Sequence, residues 1–249
     1  MTRRFLATVL AALLLTAGGI VALQVVNAPA AQADSCYTFK RDLKRGSKGG
    51  DVKRLQVRIG GWVDRSFKVV PDGVFGSKTE KALRKFQRGY GLRVTGKATA
   101  STYRKIYALQ DSDCTPKHFS YGEFNHSCGE RDFTGGRVSA RKARANTRRV
   151  MWQLEALRHK LGDRPLVITS GFRSVSCNAS VGGASNSLHT YGRAGDLGLS
   201  SGPSQCTLAK AARSAGFGEI LGPGYPGHND HVHVGNMSSR HWSAPNCGI

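Results

Sequence analysis

Ser187-Leu188-His189-Thr190-Tyr191-Gly192-Arg193-Ala194-Gly195-Asp196 and, further on, His228-Asn229-Asp230-His231-Val232-His233 decide how the second half of this chain is organised. Asp196 to Leu199 and His231 to Val234 read as short strands. A strand alternates its side chains, so His231 and His233 share one face and Val232 takes the other. Upstream, Pro165-Leu166-Val167-Ile168-Thr169-Ser170 has the composition of a buried strand, and Gly171-Phe172-Arg173-Ser174 marks its exit. Ser139 to Leu161 reads as a long helix, N-capped by Ser139 and stopped by Gly162. Its inner face is Ala143, Val150, Leu154, Leu157 and Leu161. Its basic neighbours Arg141, Lys142, Arg144, Arg148 and Arg149 read as a solvated face. With one more helix near Cys206 to Ala215, helices and strands gather around one sheet, an α+β arrangement.

The same stretches hold polar residues that a fold alone does not need. All eight histidines fall between His118 and His241, and four of them share two tight clusters with Asp196 and Asp230. A catalytic zinc takes three protein ligands, usually imidazole nitrogens and a carboxylate oxygen, and keeps a fourth position for water. Residue chemistry leaves the ligand set open among His189, Asp196, His228, His231 and His233, and leaves open whether the metal is catalytic or structural. Asp230 is the candidate general base for a metal-bound water. Arg173 can bind a substrate carboxylate or steady an oxyanion. His118, His126, His159 and His241 read as ordinary surface or core residues.

The first half is different. Residues 34–114 contain no histidine and carry a net charge of +11. Val52, Leu55 and Ile59 recur at helical spacing. Ser77-Lys78-Thr79-Glu80 reads as a capping box opening a helix with Ala82, Leu83, Phe86 and Tyr90 on one side. A third helix fits Thr99 to Leu109, giving a small all-α bundle. Ahead of it, an apolar run from Phe5 to Val26 and the Ala31-Gln32-Ala33 site predict a signal peptide over 1–33, and so an exported protein. Six cysteines suit an oxidising compartment and three disulfides.

A net charge of +21 on 249 residues predicts an anionic partner. With 39% hydrophobic and 21% charged residues the composition is globular, which excludes wholesale disorder. The basic residues are spread over both halves, and no nucleic-acid recognition pattern is present.

Two resemblances sharpen this reading. Leu43-Lys44-x-Gly46-Ser47-x-Gly49, Val52-x-x-Leu55-Gln56, Asp72-Gly73-x-Phe75-Gly76, Thr79-x-x-Ala82-Leu83 and Phe86-Gln87 resemble the helical peptidoglycan-binding domain of cell-wall hydrolases. Ser187-x-His189-x-x-Gly192-x-Ala194-x-Asp196, followed by Asp230-His231-x-His233, resembles the zinc D-alanyl-D-alanine peptidases, and the whole chain is similar to the secreted two-domain carboxypeptidases of actinomycetes. The resemblance implies His189, Asp196 and His233 as zinc ligands, Asp230 as general base and Arg173 as the substrate-binding and oxyanion arginine. It implies His231 as a donor to the reacting carbonyl and His228 as an assisting group. It also implies the disulfides Cys36–Cys114, Cys128–Cys177 and Cys206–Cys247. The expected organisation is a signal peptide over 1–33, a three-helix peptidoglycan-binding domain over 34–114 and a zinc peptidase domain over 115–249. The expected activity is removal of the terminal D-Ala from peptidoglycan stem peptides by a secreted, wall-associated monomer that is off the membrane once its signal is cleaved. A D,D-endopeptidase cutting crosslinks and an inactive wall-binding protein are the alternatives.

Overall fold

Two apolar patterns in the chain become two hydrophobic cores in the computed structural model, which describes residues 36–126, 132–198 and 202–249. The first core is built on helices α1 (Gly50–Ile59), α2 (Ser77–Gly89) and α3 (Ala100–Ala108). Val52, Leu55 and Ile59 of α1 and Ala82, Leu83 and Phe86 of α2 are fully buried, as their spacing predicts. The capping box expected at Ser77 does not form. Gly76 is the N-cap and makes no side-chain cap bond, and Ser77 already lies inside the helix. Glu80 turns the other way and pairs with Arg84 at 2.9 Å, one helical turn on.

The two motif glutamines explain why the turn residues recur with them. Buried Gln56 donates to Asp72 Oδ1 (2.8 Å) and the Val74 carbonyl (3.0 Å) and accepts from the Gly73 N–H (2.8 Å). Buried Gln87 accepts from the Thr95 and Gly96 N–H groups and donates to the Lys97 carbonyl. Each amide satisfies a turn that would otherwise leave backbone groups unpaired in the interior.

The second core lies under a five-stranded sheet in the order β1-β2-β4-β3-β5, with β1 Val167–Ser170, β2 Ala194–Gly198, β3 Glu219–Leu221, β4 His231–Gly235 and β5 His241–Ser243. All neighbours are antiparallel except β3 and β5, which run parallel. Helices α4 (Tyr121–Phe124), α5 (Ala140–Lys160), α6 (Val175–Ser180) and α7 (Gln205–Ala212) accompany it. The fold is α+β behind a helical N-terminal part. The strand expected to be buried, β1, is instead an edge strand: Ile168 and Ser170 are buried while Val167 is 39% exposed.

Helix α5 starts at the Ser139 cap, whose side chain accepts from the Lys142 N–H, and its C-terminus is followed by Gly162 at φ +74°. Its inner residues Ala143, Val150, Leu154 and Leu157 enter the second core, with partly buried Leu161 packed against it. Trp152 and Ala156 enter the first, so this one helix serves both cores, which lie in one compact unit. The expected solvated face is therefore solvated only at Arg141, Lys142 and Arg144. Arg149 reaches across to the Val69 carbonyl at 3.3 Å, and burial draws its guanidinium down to about 10.

Cys36 is bonded to Cys114 and Cys206 to Cys247. The expected Cys128–Cys177 pair involves a residue outside the described ones, as do the signal peptide and Leu199. Among the described residues no helix is long and apolar enough to cross a membrane.

Candidate metal centre

Three separate elements bring three donors to one point. His189 sits on a short 3-10 turn, Leu188–Tyr191, closed by Gly192 at φ +64°. A Cβ on Gly192 would stand 2.5 Å from the Ala143 carbonyl of α5, so glycine is needed for both its conformation and its space. Asp196 on β2 and His233 on β4 are direct partners across the antiparallel pair, so both project from the same face of the sheet. His189 Nε2, Asp196 Oδ1 and His233 Nδ1 then form a nearly equilateral triangle with edges of 3.1, 3.0 and 2.9 Å. All three residues are buried.

Outer partners decide what these atoms present. His189 Nδ1 lies against the Gly171 carbonyl, which can only accept, so Nδ1 carries the proton and Nε2 points inward as a lone pair. His233 Nε2 lies 3.0 Å from Glu219 Oε2 and donates to it, leaving Nδ1 inward as a lone pair in the neutral ring. Arg173 holds the other Asp196 oxygen, Oδ2, at 2.7 Å. With a metal ion in place of the His233 Nδ1 proton, two nitrogen lone pairs and a carboxylate oxygen converge on one point. Ligands about 2.0–2.1 Å from a tetrahedral zinc stand about 3.3 Å apart, close to the edges of this triangle. The donor set fits zinc.

Electrostatics follow from the same contacts. Burial opposes the Asp196 charge, but His189 and His233 outweigh it and hold its carboxyl well below the usual range. Burial draws His189 down. Burial also pulls on His233, yet its hydrogen bonds to Asp196 and Glu219 prevail and raise it to about 9, so a proton on Nδ1 faces Asp196 until a metal displaces it. Glu219 is held low, its burial outweighed by the His233 contact.

The triangle opens onto a cleft of about 690 Å³. Arg173, Glu219, Tyr225, His228 and His231 line it alongside the three donors. Arg173 is fixed from outside the cleft as well, donating from Nε to Ser170 Oγ at 2.8 Å.

The peptidase M15 family model matches residues 117–235, and the peptidoglycan binding domain model matches residues 48–106. The zinc D-Ala-D-Ala carboxypeptidase of Streptomyces albus G is 53% identical over 216 residues, which is 87% of this chain and 84% of that protein. This chain belongs to the M15 peptidases.

In this M15 peptidase the sequence clusters do not all meet at the same place. His189, Asp196, His233 and Arg173 converge. Asp230, expected beside the metal, has a side chain 88% exposed, and its carboxylate accepts from His231 Nδ1 at 2.7 Å. His231 lies between: its Nε2 is 3.9 Å from Asp196 Oδ1. His228 bonds the Pro226 carbonyl through Nδ1 and packs its ring 4.7 Å from that of His231. His118 pairs with Glu155, His159 bonds Asp163 and the Gly89 carbonyl, and neither approaches the site. His241 reaches the cleft rim, ring to ring with Tyr225. Glu219 was not among the sequence candidates. It lies outside both motifs, in a three-residue strand with no periodicity to mark it.

Proposed function

We propose that this M15 peptidase is a zinc-dependent carboxypeptidase that hydrolyses the terminal D-Ala-D-Ala bond of peptidoglycan stem peptides. Residues 1–33 direct export, residues 34–114 hold the enzyme, a monomer, to the wall outside the cell, and residues 115–249 carry the chemistry. His189, Asp196 and His233 are the ligands. A bound zinc supplies Lewis acidity and makes its water a nucleophile near neutral pH.

The chain's own groups do the rest. His189 and His233 keep fixed tautomers because their outer nitrogens are engaged by the Gly171 carbonyl and Glu219. Asp230 acts together with His231: the carboxylate holds the ring's Nδ1–H, so Nε2 is presented to the cleft. This pair receives a proton from the attacking water and returns it to the leaving amine. Arg173 uses Nε and one Nη2 hydrogen on Ser170 and Asp196. A guanidinium has five N–H donors, and the remainder serve the substrate carboxylate or the developing oxyanion. His228 supports His231 by ring packing.

The observation that carries this reading is the convergence of two imidazole nitrogens and a carboxylate oxygen, their orientation fixed from outside, on an open cleft. Stripping the enzyme with a chelator and titrating zinc back tests it. Activity on a stem pentapeptide should disappear and return in full at one equivalent of zinc. Full activity of the metal-free protein would refute the proposal.

A further inference from the structure

A second cleft, of about 640 Å³, opens between α1 and α5, away from the metal centre. Lys53, Arg54 and Arg58 line it from α1, and Arg141 and Arg148 from α5, with Tyr37 at its edge. Among the described residues, no aspartate or glutamate lines it, and none of the five cations forms an ion pair. The acids closest along the chain are engaged elsewhere. Asp51 is held by Arg41 at 2.7 Å, and Asp113 accepts from both the N–H and the hydroxyl of Thr115.

Arg58 makes the case sharper. It is buried, and its polar partners among the described residues are neutral: Gln110 Oε1 at 2.6 and 3.0 Å and the Arg54 carbonyl at 3.2 Å. Burial and then the charge of Arg148 draw its guanidinium down to about 10. Arg54 lies 4.5 Å over the Tyr37 ring, which pre-orients its planar head without neutralising it. Like charges gathered in a concave wall, with no counter-charge of their own, focus potential toward an anion.

We propose that this cleft binds a segment of a phosphodiester polymer, and so gives the enzyme a second wall contact besides any made to peptidoglycan. The charges stand on two facing helices, so each anionic group must be reached from two sides. A tetrahedral phosphate presents oxygens in divergent directions, whereas a carboxylate presents both on one edge. The cleft holds several cations, so it suits a chain with one charge per repeat better than a single terminal carboxylate. Four of the five cations are arginines, whose fork geometry matches phosphate oxygens.

The test measures binding of an oligomeric poly(glycerol phosphate) to the full exported chain across a salt series. Two double variants remove the same charge: Arg141→Ala with Arg148→Ala inside the cleft, and Lys78→Ala with Lys81→Ala on the exposed face of α2. Thermal melts check that both variants fold. The cleft variant should lose about tenfold in affinity at low salt, and its slope of log K against log salt should shrink by about 1.5, since each phosphate contact contributes about 0.7–0.9. The α2 variant should keep the wild-type slope. Equal losses in the two variants would show a general effect of net charge and overturn the site. Binding of polyglutamate with wild-type strength and slope would overturn the phosphodiester assignment.

Discussion

Glu219 does for His233 what the Gly171 carbonyl does for His189: it takes the outer N–H and turns the inner nitrogen toward the metal. Removing such a partner typically costs 10–100-fold in metal affinity. Glu219→Ala should therefore weaken zinc binding by roughly that factor in a chelator competition, with activity recovering in excess zinc. The Asp230–His231 pair predicts the opposite pattern. Asp230→Asn should retain one zinc per chain yet lose about 10²–10⁴ in kcat, the usual range for a general base. The two clusters stood out in the sequence because histidines and acids at fixed short spacings have few structural uses, but spacing left five candidate ligands; the resemblance pointed to His189, Asp196 and His233, which the fold brings together. Glu219 could not, because its role arises only when β3 pairs with β4 and places Leu221 opposite His233. Asp230 was legible as a residue but not in its orientation, which depends on a hydrogen bond to its own neighbour.

At the level of elements, the position of His189 depends on a turn pressed against a helix. Gly192 has φ +64° and a Cβ there would strike the Ala143 carbonyl at 2.5 Å and Thr147 Oγ1 at 2.8 Å. Gly192→Ala should destabilise the protein by about 2–4 kcal/mol in urea unfolding, combining left-handed backbone strain with overpacking. A cost below about 0.5 kcal/mol would mean that the turn is not held against α5. The long helices were legible from apolar spacing and from the Ser139 cap. Strands β3 and β5 were not, since three residues are too few to display a period of two. The buried character read into β1 came from its β-branched composition, which does not distinguish an edge strand from a central one.

Across the whole molecule, α5 ties the helical part to the sheet, with Trp152 and Ala156 in one core and Val150 and Leu154 in the other. Lys160 closes that junction, its ammonium donating to the carbonyls of Gly61, Val63 and Ser214. Burial, followed by the charge of Lys85, lowers it from 10.5 to about 8. The unfolded chain therefore binds more protons than the folded one between about pH 8 and 10.5, and this group's contribution to stability rises with pH through that window. The Tm of the wild type relative to Lys160→Met should shift in favour of the wild type from pH 8 to 10; a difference independent of pH would place Lys160 in a solvated setting. This double use of α5 was not legible, because its apolar residues were assigned to a single face. The bond that is cut separates a carboxypeptidase from an endopeptidase. Mass spectrometry of a stem pentapeptide incubated with the zinc-loaded enzyme should show a single product lacking one terminal D-Ala, and none after chelation. Cleavage at an internal bond, or release that persists without zinc, would contradict the proposed zinc carboxypeptidase activity.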